Sequence, residues 1–186
     1  MPAKVVLLLL ALVFAAGRAH GQAEPALTVY READNLFNST HPTDLTDSLA
    51  LNGFEKVIQL LIKTSPAQGD TLLFQSYLKK GILLDVRNDI EEGKQAYLQA
   101  IKLHGLANRQ SDSLLFRPYV YAGADYFNLN NFDSANYCLL QAERLVQQFP
   151  SIPETERLYN SLGALHYVNG NYLQSKKVCA AFMASC

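Results

Sequence analysis

From Leu49 onward the apolar residues recur at helical spacing, the breaks between them are short, and strand-like alternation is almost absent. Val57, Leu60 and Leu61 mark one face of a helix that stops at Ser65-Pro66, and Leu98, Ile101 and Leu103 mark another that fades at His104-Gly105. Asp47-Ser48, Asp70-Thr71, Asp112-Ser113 and Asp133-Ser134 each stand just before an apolar run. Short acidic and hydroxyl side chains there accept hydrogen bonds from first-turn amides and complement the helix dipole, so these pairs predict helix starts. The pattern predicts an all-α chain with about eight helices.

Laying the segments over one another exposes a period. Tyr77-x3-Gly81, Tyr119-x3-Gly123 and Tyr159-x3-Gly163 place an aromatic and a glycine four apart, and the glycines are separated by 42 and 40 residues. Twelve residues after them come Gly93, Ala135 and Ser175, and four further on Tyr97, Leu139 and Cys179. Small residues at matching positions let the two helices of a unit approach closely. Between those helices lie matching turns, Asn88-Asp89-Ile90, Asn130-Asn131-Phe132 and Gly170-Asn171-Tyr172, each ending in an apolar plug for the neighbouring helix. The period predicts three units at about residues 70–105, 112–148 and 153–186.

The spacing resembles the tetratricopeptide repeat, a pattern of an aromatic, Leu-Gly, Tyr, Ala, an aromatic, Ala and a closing Pro. Tyr159, Leu162, Gly163, Gly170, Tyr172 and Ser175 match it in the third unit. Tyr119, Gly123, Tyr126, Phe132, Ala135 and Ala142 match it in the second, and Tyr77, Gly81, Ile90, Tyr97 and Ala100 in the first. His166 stands where Tyr is usual and Phe182 where Ala is usual, and the period exceeds the usual length of about 34. The extra residues fall between units, in Leu106 to Ser111 and Gln148 to Glu154. The resemblance covers roughly Ala26 to Ala180 and implies a right-handed α-solenoid of helical hairpins that binds a protein or peptide. A weaker hairpin precedes the three units over residues 22–66, with Tyr30 to Phe37 as its first helix, Leu49 to Lys63 as its second and a long linker, Asn38 to Thr46. The stretches Tyr77 to Leu84, Asp112 to Phe116 and Pro153 to Gly163 also resemble the repeat arrays that precede a caspase-related CHAT peptidase domain in exported bacterial proteins. That likeness implies an alternative function, the sensing or regulatory arm of a larger peptidase whose catalytic domain lies outside these residues.

The N-terminus changes the compartment. Met1-Pro2-Ala3-Lys4 is a short basic start, Val5 to Ala16 is an unbroken apolar run, and Gly17 to Ala23 offers small residues to a peptidase. This predicts a secretory signal peptide over residues 1–21, cleaved after Gly21 or Ala23, because the apolar run is well short of the roughly 20 residues that span a bilayer. The expected product is secreted or periplasmic. A net charge of -1, with 16 basic and 17 acidic residues, speaks against nucleic acid as a partner, and no later apolar stretch is long enough to span a membrane. Cys138, Cys179 and Cys186 are too few for a disulfide framework; a Cys138–Cys179 bridge is conceivable, but small buried apolar roles are expected. Val178 to Cys186 carries no charge, which predicts either a chain that continues in a longer protein or an apolar end that self-associates.

Signatures of catalysis are missing: there is no phosphate loop, no His-Glu-x-x-His, no Gly-x-Ser-x-Gly and no Cys-x-x-Cys. Asp85-x-Arg87-x-Asp89 begins like a calcium loop but has Arg at its third position and Ile90 where Gly is required. His166 and Cys179 fall on packing positions, and His41 and His104 read as solvated loop histidines, so no cofactor, metal or enzymatic activity is expected. Asn38-Ser39-Thr40 matches the N-glycosylation acceptor pattern, a short motif that is weak evidence by itself. In a hairpin array the first helices of successive units line the inner surface, which places Ser76, Lys79, Lys80, Tyr121, Asp125, Asn128 and Asn160 as candidate groove residues.

Overall fold

A computed structural model describes residues 25–64, 71–106 and 112–185. The signal-peptide expectation lies outside them, as do the side chains of Cys179 and of residues 181–186. The described residues form eight α-helices and no strand: α1 (25–37), α2 (Asp44–Thr64), α3 (Thr71–Val86), α4 (Ile90–Leu106), α5 (Phe116–Asn128), α6 (Phe132–Gln148), α7 (Glu156–Val168) and α8 (Tyr172–Ser185). A short 3₁₀ turn, Asp112–Leu115, leads into α5. The fold is all-α. None of the described helices is long and apolar enough to cross a membrane.

Helices consecutive in the chain pack against each other, and α5 also reaches α7. The hydrophobic residues accordingly form a succession of cores, each shared by neighbouring hairpins. Ala33, Phe54 and Leu83 join α1 and α2 to α3, while Phe74, Tyr97, Ala122 and Cys138 join α3 and α4 to α5 and α6. Phe116, Leu139, Leu158 and Leu165 continue into α7, with Val178 of α8 packed alongside. Burial that runs from neighbour to neighbour is the packing of a helical-repeat array.

The small residues at repeat spacing do what close packing requires. A Cβ added at Gly81 would lie 2.7 Å from Tyr97 Cζ, and one added at Gly123 would lie 2.8 Å from Leu139 Cγ. Gly93 backs onto the Gly81 carbonyl, Ala135 contributes its carbonyl beside Gly123, and Ser175 Oγ donates to the Gly163 carbonyl at 2.9 Å. The three turns are also one conformation. Asn88, Asn130 and Gly170 occupy equivalent positions with φ of 64, 59 and 74°. In each, the next amide reaches back five residues (Asp89 to Leu84, Asn131 to Tyr126, Asn171 to His166), and the left-handed residue's own amide reaches back three. That pair of bonds is the Schellman closure, which satisfies carbonyls a helix end otherwise leaves open.

Several expectations need correction. Asp47-Ser48 and Asp133-Ser134 lie inside the first turns of α2 and α6, while the capping is done by Thr43 and Asn131. Thr43 Oγ1 accepts from the Thr46 amide at 3.2 Å, Thr46 Oγ1 accepts from the Thr43 amide at 2.7 Å, and the Asn131 side chain accepts from the Ser134 amide at 3.2 Å. Earlier capping starts α2 at Asp44 rather than Leu49 and shortens the linker to residues 38–43. His104 is not a solvated loop residue: it is buried in the last turn of α4, edge-on to Phe74 at 6.1 Å. Tyr172 meets Tyr167 of the neighbouring helix α7 at 5.2 Å but is 62% exposed, so it lies at the surface rather than as a buried plug. Gly170 is likewise exposed, and its contribution is the left-handed turn rather than packing.

Candidate functional site

The first helices of the second and third units, α5 and α7, enclose an open groove of about 570 Å³. Its apolar lining includes Phe116, Val120, Ala124, Phe127 and Ala164, and Tyr121, Asn128, Asn160 and Ser161 supply polar groups. Three of the expected groove residues, Tyr121, Asn128 and Asn160, therefore line it. At one end Arg117 Nη2 donates to both Glu154 oxygens at 2.7 Å. Glu154 holds φ at 61°, the one left-handed non-glycine residue among the described residues outside the hairpin turns. A carbon side chain in that conformation costs about 1–2 kcal/mol, which the ion pair across the groove mouth helps to offset.

The other four expected groove residues are elsewhere. Ser76 is fully buried, and its hydroxyl donates to the Leu72 carbonyl at 2.7 Å. Lys79 pairs with Asp34 and sits 5.2, 5.4 and 5.9 Å from the ring centres of Tyr30, Phe37 and Phe54, so its cation ties α3 to the first hairpin. Lys80 Nζ donates to Glu55 at 2.7 Å. Asp125 is 1% exposed and faces the interior.

Asp125 belongs to a polar cluster beside the groove that the sequence reading missed. Asp85, at the end of α3, accepts from the Tyr97 hydroxyl at 2.7 Å. Tyr97 stacks on Tyr121, with centroids 5.3 Å apart and planes 18° from parallel, and the Arg157 guanidinium lies 4.2 Å from the Tyr121 centroid. With Tyr97 filling one face of that ring, the guanidinium takes the other, so Tyr121 is held between the buried cluster and the groove. Lys94 Nζ lies over Tyr126 at 5.0 Å and donates to Glu91 at 2.6 Å.

Burial pushes the Asp125 carboxyl up to about 8, with the nearby Asp85 charge adding to it and Arg157 and Lys94 opposing. Burial also raises Asp85, against the Tyr97 hydrogen bond and the Arg157 charge, and raises the Tyr97 hydroxyl well above the usual range. The Cys138 thiol of α6, buried in the core shared with α3, α4 and α5, is pushed up to about 11 by burial alone and is a packing residue rather than a nucleophile. His166 is half-buried on α7. His41 is exposed, and the Asn38 amide of the glycosylation pattern donates to Asp34.

From the sequence alone Asp85 reads only as the start of an incomplete calcium loop, and Arg157 carries no signal. The repeat register carries the missing signal: Asp85 aligns with Phe127 and Tyr167, and Asp125 with Leu83 and Leu165, so both acids replace apolar residues of the pattern. Comparison with models of known protein families returns no match, and none is found among curated proteins.

Proposed function

We propose that this chain is an exported binding scaffold of the tetratricopeptide type, without catalysis of its own, that holds a protein or peptide segment in the groove between α5 and α7. The supporting observation is the groove itself, open along the first helices of consecutive units, with an apolar floor and the side-chain amides of Asn128 and Asn160 at its edge. Its volume falls in the range of about 300–1,000 Å³ common for ligand sites, and amide side chains beside an apolar floor suit a peptide, whose backbone needs polar partners while its side chains seek burial. The hairpin contacts repeated at Gly81, Gly123 and Gly163 support the repeat assignment. The basic start and apolar run before Gly17 support export.

A random peptide display selection against the chain without residues 1–21 tests this reading, with Ala164→Arg as the control. Ala164 is exposed and lines the groove, so the arginine obstructs it without entering the core. Enriched peptides are expected to lose about tenfold or more in affinity on the variant while its melting temperature is unchanged. Failure to enrich any peptide, or equal binding to both proteins, overturns the proposal.

A further inference from the structure

The two acids that break the repeat pattern meet. Leu83 and Leu165, which align with Asp125, are buried core residues, so the fold offers that position no water. With both carboxyls ionised, Asp85 Oδ1 and Asp125 Oδ2 are buried and have no hydrogen-bond donor among the described residues. Two carboxylates can only accept; one proton turns one of them into a donor, and a hydrogen bond between the two acids would then serve both. Room for the pair comes from Gly93, where any Cβ would strike Asp85 Oδ1.

The surrounding charges do not remove the need for that proton. On α4, Tyr97 donates to Asp85, and Lys94 is engaged by Glu91 and the Tyr126 ring. On α5, Tyr121 and Tyr126 present rings, and on α7 the Arg157 guanidinium is spread over Tyr121. Arg157 and Lys94 attract the pair, yet burial and mutual repulsion remain the larger influences on Asp125.

We propose that Asp85 and Asp125 form a one-proton latch joining the first unit to the second, closed while the pair shares a proton and loosened when that proton leaves. The sign follows from the folded chain holding a proton that an unfolded aspartate has released above about pH 4. Stability from the latch is complete below that pH, declines as pH rises and is gone once the pH passes about 8, where Asp125 ionises in the folded chain. The remaining shifted groups act outside this window. Glu91, drawn down by Lys94, changes charge only in acid, and Lys79, Tyr77, Tyr97, Tyr119 and the Cys138 thiol, all raised, titrate only in base.

Urea-unfolding midpoints of the chain without residues 1–21, from about pH 5.5 to about pH 9, test the latch alongside Asp125→Asn, whose amide donates to Asp85 without a titrating proton. The wild-type midpoint is expected to fall with rising pH and level off above about 8, and the variant to lose that slope and exceed the wild type in base. Hydrogen exchange at about pH 8.5 should show residues 83–97 and 119–128 better protected in the variant than in the wild type. If the variant does not fold, carbon NMR of the wild-type carboxyls decides, with one aspartate expected to titrate near 8. A wild-type slope that survives in Asp125→Asn, aspartates that all titrate in the ordinary range, or a basic-pH loss reversed by added calcium or magnesium would each overturn the proposal.

Discussion

Gly123→Leu tests whether the repeat glycines set the distance between the helices of a unit. The Cβ alone would stand 2.8 Å from Leu139 Cγ and Cδ2 and 3.4 Å from the Ala135 carbonyl, and Leu139 is fully buried in the core. Overpacking of this kind costs about 1–3 kcal/mol, and three further carbons beyond the Cβ push the cost toward the upper end. Replacing a mid-helix glycine by leucine returns a little under about 1 kcal/mol of helix propensity. The net is about 2 kcal/mol of destabilisation, or a melting temperature lower by about 4–8 °C for a chain of this size. The assay is urea and thermal unfolding by far-UV circular dichroism, run as a cycle with Leu139→Ala. Shrinking Leu139 vacates the volume the new leucine needs, so the double variant should be more stable than the sum of the single effects by about 1 kcal/mol or more. Additive effects, or an unchanged melting temperature for Gly123→Leu, would refute the contact and with it the register.

Three further outcomes follow from local geometry. Asn130→Val should cost about 1–2 kcal/mol in urea unfolding, because its φ of 59° is hostile to a branched Cβ, whereas Asn130→Gly should be neutral or better. Lys79→Met removes the charge that Asp34 and three rings surround; the pair is partly exposed, so a loss of about 1 kcal/mol is expected, with faster hydrogen exchange across residues 25–37. In a Cys179→Ser, Cys186→Ser background the native Cys138 thiol should resist a thiol reagent at about pH 8 and react fully in urea, since burial both covers it and keeps it protonated.

The hairpins were legible because their contact rule is simple: an aromatic and a glycine on the first helix, and a small residue twelve positions on. The N-terminal pair was blurred because it reaches the same closeness differently, with Gly53 set against Ala33 twenty residues away, so the period does not find it. Its helix start reads too late from the sequence because Thr43 and Thr46 cap each other reciprocally, a motif without an Asp-Ser or Asp-Thr pair. The groove was half legible. Tyr121, Asn128 and Asn160 line the cavity between α5 and α7, whereas Ser76 and Asp125, polar residues on first helices, are buried, and the register aligns Ser76 with Pro118 and Leu158, both buried. Register, not polarity, decides which side of a helix a residue occupies, and a polar residue at an apolar register position is the more informative signal.

The turns within the three repeat hairpins are all one conformation, whereas residues 38–43 join the first pair without it, and residues 149–155 link one hairpin to the next, α6 to α7, through the left-handed Glu154. Lengthening or shortening an inter-unit link would therefore re-angle one hairpin against the next without disturbing either hairpin's own contacts. Curvature in such a chain is inherited from its links, so relatives with the same hairpins and different links would offer grooves of different width and select different ligands.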